Sequence, residues 1–200
     1  MRKFLIKENY ESINLFNKIN LLNENQIRDI EKGFDWTVKN YSNAVLIGGT
    51  ALIHYLKGGR DLTPDIDFVV ANISKLKSLL DVEDILYKPL RKYDNSIIGI
   101  TVPNFNTDYL DANVDSPNIK KLVLTTYNTA TIGGFSIKVV NPELLAIMKI
   151  AMGRNKDLDD GFALIQSGIL NKQNYIIYAS MLKNSLEDYE SIISYVDMIQ

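Results

Sequence analysis

The sequence predicts an α/β protein of the α+β kind: a mixed β-sheet with flanking helices, followed by an all-helical C-terminal region. Three observations predict it. Short apolar, β-branched runs alternate with helical patterning between residues 44 and 140. Residues 129–132 and 135–139 flank Gly133-Gly134, the pattern of a β-hairpin with a two-glycine turn. From residue 141 to 200 every periodicity is helical. The sheet is expected to hold about four to six strands, the common size.

Taken in order, residues 11–19 and 26–41 read as two amphipathic helices, with Asn23 or Asn25 capping the second. Val45-Leu46-Ile47 lies in a buried strand, 44–47. A helix over 50–57 is stopped by Gly58-Gly59. Strand 65–70 follows, then a helix near 73–81 capped by Asn72 or Ser74. Segments 84–88, 96–102 and 107–113 have strand character, and 119–127 reads as a short helix. Asn141-Pro142-Glu143 opens the C-terminal helices, with Asn at the cap and Pro at the first position. The expected organisation is residues 1–42 as helices packed on a core of 43–140, with 141–200 as the helical region. Trp36, Phe34 and the tyrosines 175, 178, 189 and 195 are expected to pack, and His54 to be structural.

Composition narrows the function classes. The 200 residues are 46% hydrophobic, and no apolar run approaches the ~18–20 residues of a membrane span. The first residues offer too short an apolar stretch for a signal peptide. Cysteine is absent, so disulfides and thiolate zinc sites are excluded, and a cytoplasmic location is expected. The single histidine excludes chemistry that needs two. The net charge of −2, from 22 basic and 24 acidic residues, leaves no global footprint for nonspecific nucleic-acid binding.

The chemistry is concentrated in two short motifs. Gly48-Gly49-Thr50 joins a strand to a helix, and glycine leaves the backbone N–H groups uncovered there. Such a turn at a helix N-terminus cradles anions, a triphosphate among them. On the next strand Asp65 and Asp67 are two residues apart and therefore share a face. Two carboxylates beside a phosphate cradle suit Mg²⁺ holding nucleotide phosphates, with Mn²⁺ as a substitute. A lone glycine pair is usually just a turn, and a lone Asp-x-Asp is usually solvated. Their spacing within an apolar frame is what points to function.

From Gly48-Gly49-Thr50-Ala51-Leu52 through Asp65-Ile66-Asp67-Phe68-Val69-Val70 the chain resembles the DNA polymerase beta-like nucleotidyltransferases. More narrowly it looks like the abortive-infection (AbiEii-type) toxin nucleotidyltransferases; the resemblance covers roughly residues 43–170 and is strongest at 45–70. Relatives carry Arg-x-Thr-x-Asp-Ile-Asp; here Arg60 stands one residue further from Thr63. The resemblance implies that Gly48, Gly49, Thr50 and Thr63 bind nucleotide and that Asp65 and Asp67 bind metal. It also implies a third acid on a later strand. Asp108, Asp111 and Asp115 are available, and Asp111 fits best, between Tyr109-Leu110 and Ala112. Asp108 faces the other side of the same strand, and Asp115, near Pro117, reads as a turn or cap.

A second constellation runs from Lys149 to Asp160 and matches the Lys…Arg-x-Lys-Asp-x-x-Asp pattern of the toxin-like relatives. An NTP brings about four negative charges to a site with three carboxylates, which two Mg²⁺ ions leave negative. Lys149, Arg154 and Lys156 are expected to face the cleft and offset that remainder. Asp157 and Asp160, three apart, share a helix face and could orient a lysine or act as a base. Lys149→Ala is expected to abolish transfer with the fold intact. The blander reading is a solvated helix junction.

Two function classes follow. The first is a Mg²⁺-dependent nucleotidyltransferase that moves a nucleoside monophosphate from an NTP to tRNA, protein or a small molecule. The resemblance implies a toxin role there, with an antitoxin partner. The second is a catalytically inactive nucleotide-binding or protein-interaction module on the same fold.

Overall fold

The computed structural model describes residues 24–56, 65–92 and 94–199. The predicted helix at 11–19 lies outside these residues, as do Gly58, Gly59, Arg60 and Thr63.

The apolar run Val45-Leu46-Ile47 becomes β1 (Val45–Ile47), buried along its whole length with a strand on either side. The other strands are β2 (Ile66–Val70), β3 (Lys88–Arg91), β4 (Ile97–Val102), β5 (Thr107–Asp111), β6 (Tyr127–Ile132) and β7 (Phe135–Val140). They form one sheet in the order β3-β4-β5-β2-β1-β7-β6. β2 runs antiparallel to β1 and parallel to β5, and β7 runs parallel to β1, so the sheet is mixed. The described residues thus hold seven strands, above the expected number, and none lies beyond Val140.

The predicted hairpin is β6–β7, closed by Gly133 and Gly134 at φ of 58° and 84°. β3 starts at Lys88 rather than at residue 84. The preceding residues are spent leaving a helix: Asp84 takes a left-handed conformation, and the Ile85 N–H donates to the Leu80 carbonyl.

Eight α-helices accompany the strands among the described residues. They are α1 (Glu24–Asn40), α2 (Gly48–Leu56), α3 (Ile73–Val82), α4 (Pro117–Thr125), α5 (Pro142–Met152), α6 (Asn155–Gln166), α7 (Lys172–Met181) and α8 (Tyr189–Ser194). α2 includes the glycine pair instead of following it. The Asn72 side chain accepts from the Lys75 N–H at 2.8 Å and caps α3. α4 begins and ends two residues earlier than predicted, and Tyr127 opens β6. Asn141 holds the cap position of α5 without a capping bond, and its amide donates to the Tyr178 hydroxyl at 2.9 Å. Glu143, in the first turn of α5, accepts from the Asn171 N–H at 2.7 Å and so ties α5 to the cap of α7.

The two sheet faces divide the labour. On one face α1 sets Phe34 and Trp36 against Phe68 of β2 and Tyr109 of β5. Phe68 and Tyr109 stack with centroids 5.8 Å apart. Thr37 donates to the Gly33 carbonyl, so the buried Tyr109 hydroxyl donates to Thr37 at 2.6 Å. Phe68 and Tyr109 are thereby fixed toward α1. Their neighbours Asp67 and Asp108 must face the opposite side, because side chains alternate along a strand.

Candidate active site

Strand register assembles the acidic group. β2 and β5 pair as Ile66↔Thr107, Asp67↔Asp108 and so on to Val70↔Asp111. In-register neighbours in adjacent strands project to the same face. Asp67 and Asp108 are therefore side by side, and Asp65, two residues before Asp67, joins them. One carboxylate oxygen from each of Asp65, Asp67 and Asp108 lies within 4.8 Å of the other two.

Asp111 is not in this group, and the expectation that it supplies the third carboxylate is corrected to Asp108. Asp111 lies three residues further along β5, about 10 Å away at the rise of a strand, and faces the other side. Its carboxylate accepts from the Asn113 backbone at 2.9 Å and from the Asn113 amide at 3.0 Å, closing the turn after β5. Asp115 is a turn residue in a left-handed conformation, paired with Lys92 and, at 3.8 Å, with Lys120.

The glycine turn meets this group directly. Gly48 has φ of 69°, and a Cβ there would sit 2.0 Å from Oδ2 of Asp67. Glycine is required on both counts: the backbone is left-handed, and the carboxylate fills the side-chain space. The Thr50 hydroxyl donates to the Asp65 carbonyl at 3.3 Å and joins the first turn of α2 to the strand that carries the aspartates. Gly48→Ala should lose about 1–2 kcal/mol from the left-handed conformation alone, read by urea denaturation. It should also displace Asp67. A variant that keeps wild-type stability would show that this close approach is not needed.

A cleft of about 390 Å³ opens over the glycines, Asp65 and Asp67. Lys149, Arg154, Lys156 and Asp157 line it on the α5–α6 side, and Leu110, Ile119, Leu145 and Met148 give it an apolar wall. The elbow between these helices is Gly153, left-handed at φ of 66°. Lys149 is buried, with its amine 2.7 Å from Asp157 and 2.9 Å from Asp160. The Arg154 guanidinium bonds the second oxygen of Asp157. Lys149 is thus balanced by two buried carboxylates, which revises the expectation that Lys149→Ala would leave the fold intact. Asp160 contacts Lys149 without lining the cleft, whereas exposed Lys156 does line it.

Charge crowding is visible in proton affinities. Asp67 is pushed up to about 7 by burial first, then by Asp65 and Asp108, with Lys149 and Lys156 opposing. Asp108 is raised, first by burial, with Asp65 adding to the effect and a Thr101 hydrogen bond and the Lys88 charge opposing it. Burial alone would raise Asp157 too, but the hydrogen bonds from Lys149 and Arg154 prevail and lower it.

Sequence reasoning missed Lys120. Its buried amine bonds the carbonyls of Val114 at 2.9 Å and Asp111 at 3.3 Å, which holds the loop at the apolar end of the cleft. A lysine three residues after Pro117, in the first turn of a helix, gives no sign of this in sequence.

A glycine cradle at the start of α2, facing three clustered carboxylates on a mixed sheet, defines a nucleotidyltransferase-like protein. Over residues 37–196 the chain matches the family described as "nucleotidyl transferase of unknown function (DUF2204)", and it belongs to that family. Among solved structures it is similar to an antigenic nucleotidyltransferase-like protein from Paracoccidioides brasiliensis, with a TM-score of 0.52 and 16% identity. That match covers 88% of this chain and 93% of the other, and the likeness is one of fold. No curated protein matches the sequence.

Proposed function

We propose that this protein is a divalent-metal-dependent nucleotidyltransferase that moves a nucleoside monophosphate from an NTP to an acceptor hydroxyl and releases pyrophosphate. The observation that carries the reading is the convergence of Asp65, Asp67 and Asp108 against Gly48, at one end of a cleft lined by cations. The donors fit the metal: three carboxylates offer only hard oxygens, which suit Mg²⁺ or Mn²⁺. Asp67, raised by burial and then by its like-charged neighbours, is what such a cation would relieve. When bound, the ion would neutralise charge on the phosphates and on the leaving pyrophosphate.

The chain's own residues supply the rest. The N–H groups of Gly48 and Gly49 face the phosphates at the positive end of α2. Lys156 and Arg154 bring positive charge to the β- and γ-phosphates. Lys149 holds Asp157, and through it Arg154, in place. The apolar wall at Leu110, Ile119, Leu145 and Met148 covers the nucleoside. Thr63 belongs to the nucleotide site by resemblance.

The acceptor is a tRNA, a protein or a small molecule, and the AbiEii-type resemblance favours a cytoplasmic toxin with an antitoxin partner. Among the described residues no helix is long and apolar enough to cross a membrane. The test is incubation with each α-labelled NTP, Mg²⁺ and total cell extract. Label should pass to one macromolecule or metabolite and should require the ion. The absence of label and of pyrophosphate with all NTPs, under both Mg²⁺ and Mn²⁺, would reject the reading.

A further inference from the structure

The polar row does not end at β5. Asp67 pairs across the sheet with Asp108, Asp108 with Thr101 of β4, and Thr101 with Lys88 of β3. In-register neighbours share a face, so a polar row leads from Asp67 to the sheet edge. The Thr101 hydroxyl bonds Asp108, and Lys88 acts on Asp108 through its charge. Lys88 is exposed and has no hydrogen bond or ion pair among the described residues. At the usual strand spacing it stands about 10 Å from Asp108. Asp108, Thr101 and Lys88 all lie outside the cleft that holds the glycines, Lys149 and Lys156.

This inference rests on the nucleotidyl-transfer reading of the site. In an in-line displacement the attacking and leaving oxygens stand on opposite sides of the phosphorus. The pyrophosphate side is the cleft beneath Gly48 and Lys156, so the attacking hydroxyl comes over β4 and β3. We propose that the strip formed by Asp108, Thr101 and Lys88 is the acceptor subsite, and that Lys88 binds a phosphate group of the acceptor. The acceptor's hydroxyl oxygen forms a bond to the α-phosphorus, and the bond from that phosphorus to the α–β bridging oxygen breaks. Pyrophosphate leaves into the cleft, and the hydroxyl proton goes to water. A lysine is a compact charge suited to phosphate. The competing account is that Lys88 and Pro89 only protect an edge strand from pairing. That account does not require alignment with Thr101 and Asp108.

The test compares wild type, Lys88→Ala, Lys88→Glu and Lys88→Arg, each in the full chain with Mg²⁺ and labelled NTP. One arm uses total tRNA, whose phosphate is a diester. The other uses glycerol 3-phosphate, a small phosphate monoester, and the arm that accepts label identifies the source of the phosphate. In that arm Lys88→Ala should raise the acceptor KM at least tenfold and Lys88→Glu further. Lys88→Arg should stay near wild type, and the NTP KM should change less than twofold. An unchanged acceptor KM in Lys88→Ala overturns the proposal while transfer itself stands, as does labelling confined to protein. If the wild type releases no pyrophosphate from any NTP, the nucleotidyl-transfer reading falls, and the acceptor subsite falls with it.

Discussion

Asp67→Asn should abolish nucleotidyl transfer and, at pH 8, raise the stability of the metal-free protein. The two effects have one cause. Asp67 sits among Asp65, Asp108 and the wall of α2, and its carboxyl is raised from 3.8 to about 7. A carboxyl whose folded pKa lies above its unfolded pKa favours folding most when protonated. That contribution is complete below about pH 3.8 and is lost as the pH rises through 7. Above pH 7 the folded protein bears the whole cost of the charge, about 4 kcal/mol. Asparagine keeps the shape and removes the charge. The gain measured by thermal or urea denaturation in EDTA should be largest at pH 8 and shrink steadily toward pH 4. Added Mn²⁺ should stabilise the wild type and not the variant. A variant less stable than wild type at pH 8 in EDTA would mean that burial and the neighbouring carboxylates do not make the Asp67 charge costly.

Lys149→Ala should be among the most damaging substitutions in the chain, at about 3–5 kcal/mol, because it strands two buried carboxylates. Removing one partner of a buried ion pair costs far more than removing the charges together. The triple change Lys149→Met, Asp157→Asn, Asp160→Asn should therefore recover most of the lost stability while losing transfer. The comparison separates structure from catalysis, and urea denaturation beside pyrophosphate release reads both. Acid should act on the same cluster. Asp157 has a lowered folded pKa, so its contribution is present above its unfolded value of 3.8. It is lost only as the pH falls through the lower folded value. Wild type should keep this contribution down to pH 4, and Lys149→Ala should not. Equal urea midpoints for Lys149→Ala and wild type at pH 7 would refute the account.

What was legible in the sequence was whatever is decided within a few residues. Gly133-Gly134 closes the hairpin, Asn72 caps α3 and Pro142 starts α5, each by local backbone preference. Gly48-Gly49 and the Asp65–Asp67 pair were readable because a turn and a two-residue period are local as well. What failed was decided between distant segments. Alternation correctly put Asp108 and Asp111 on opposite faces of β5. Only the pairing of Thr107 with Ile66 determines which face meets Asp67, and that register is written in neither strand alone. Lys149 was half legible. Asp157 and Asp160 were read as able to orient a lysine, but that both close on Lys149 depends on the Gly153 elbow bringing the next helix back. Asn141 shows the reverse. It looked like a cap and occupies the cap position, yet its side chain is spent on Tyr178.

The two parallel pairings, β2 with β5 and β1 with β7, carry a consequence for the order in which the protein matures. Parallel neighbours cannot be joined by a tight turn, so each pair waits for a long stretch of chain to close. Topologies of this kind fold slowly compared with chains of local contacts. The aspartates of β2 gain Asp108 only when β5 docks, and α5 and α6 can deliver their cations only once β7 lies against β1. The proposed site therefore cannot be assembled in a newly made chain until both parallel pairs have closed.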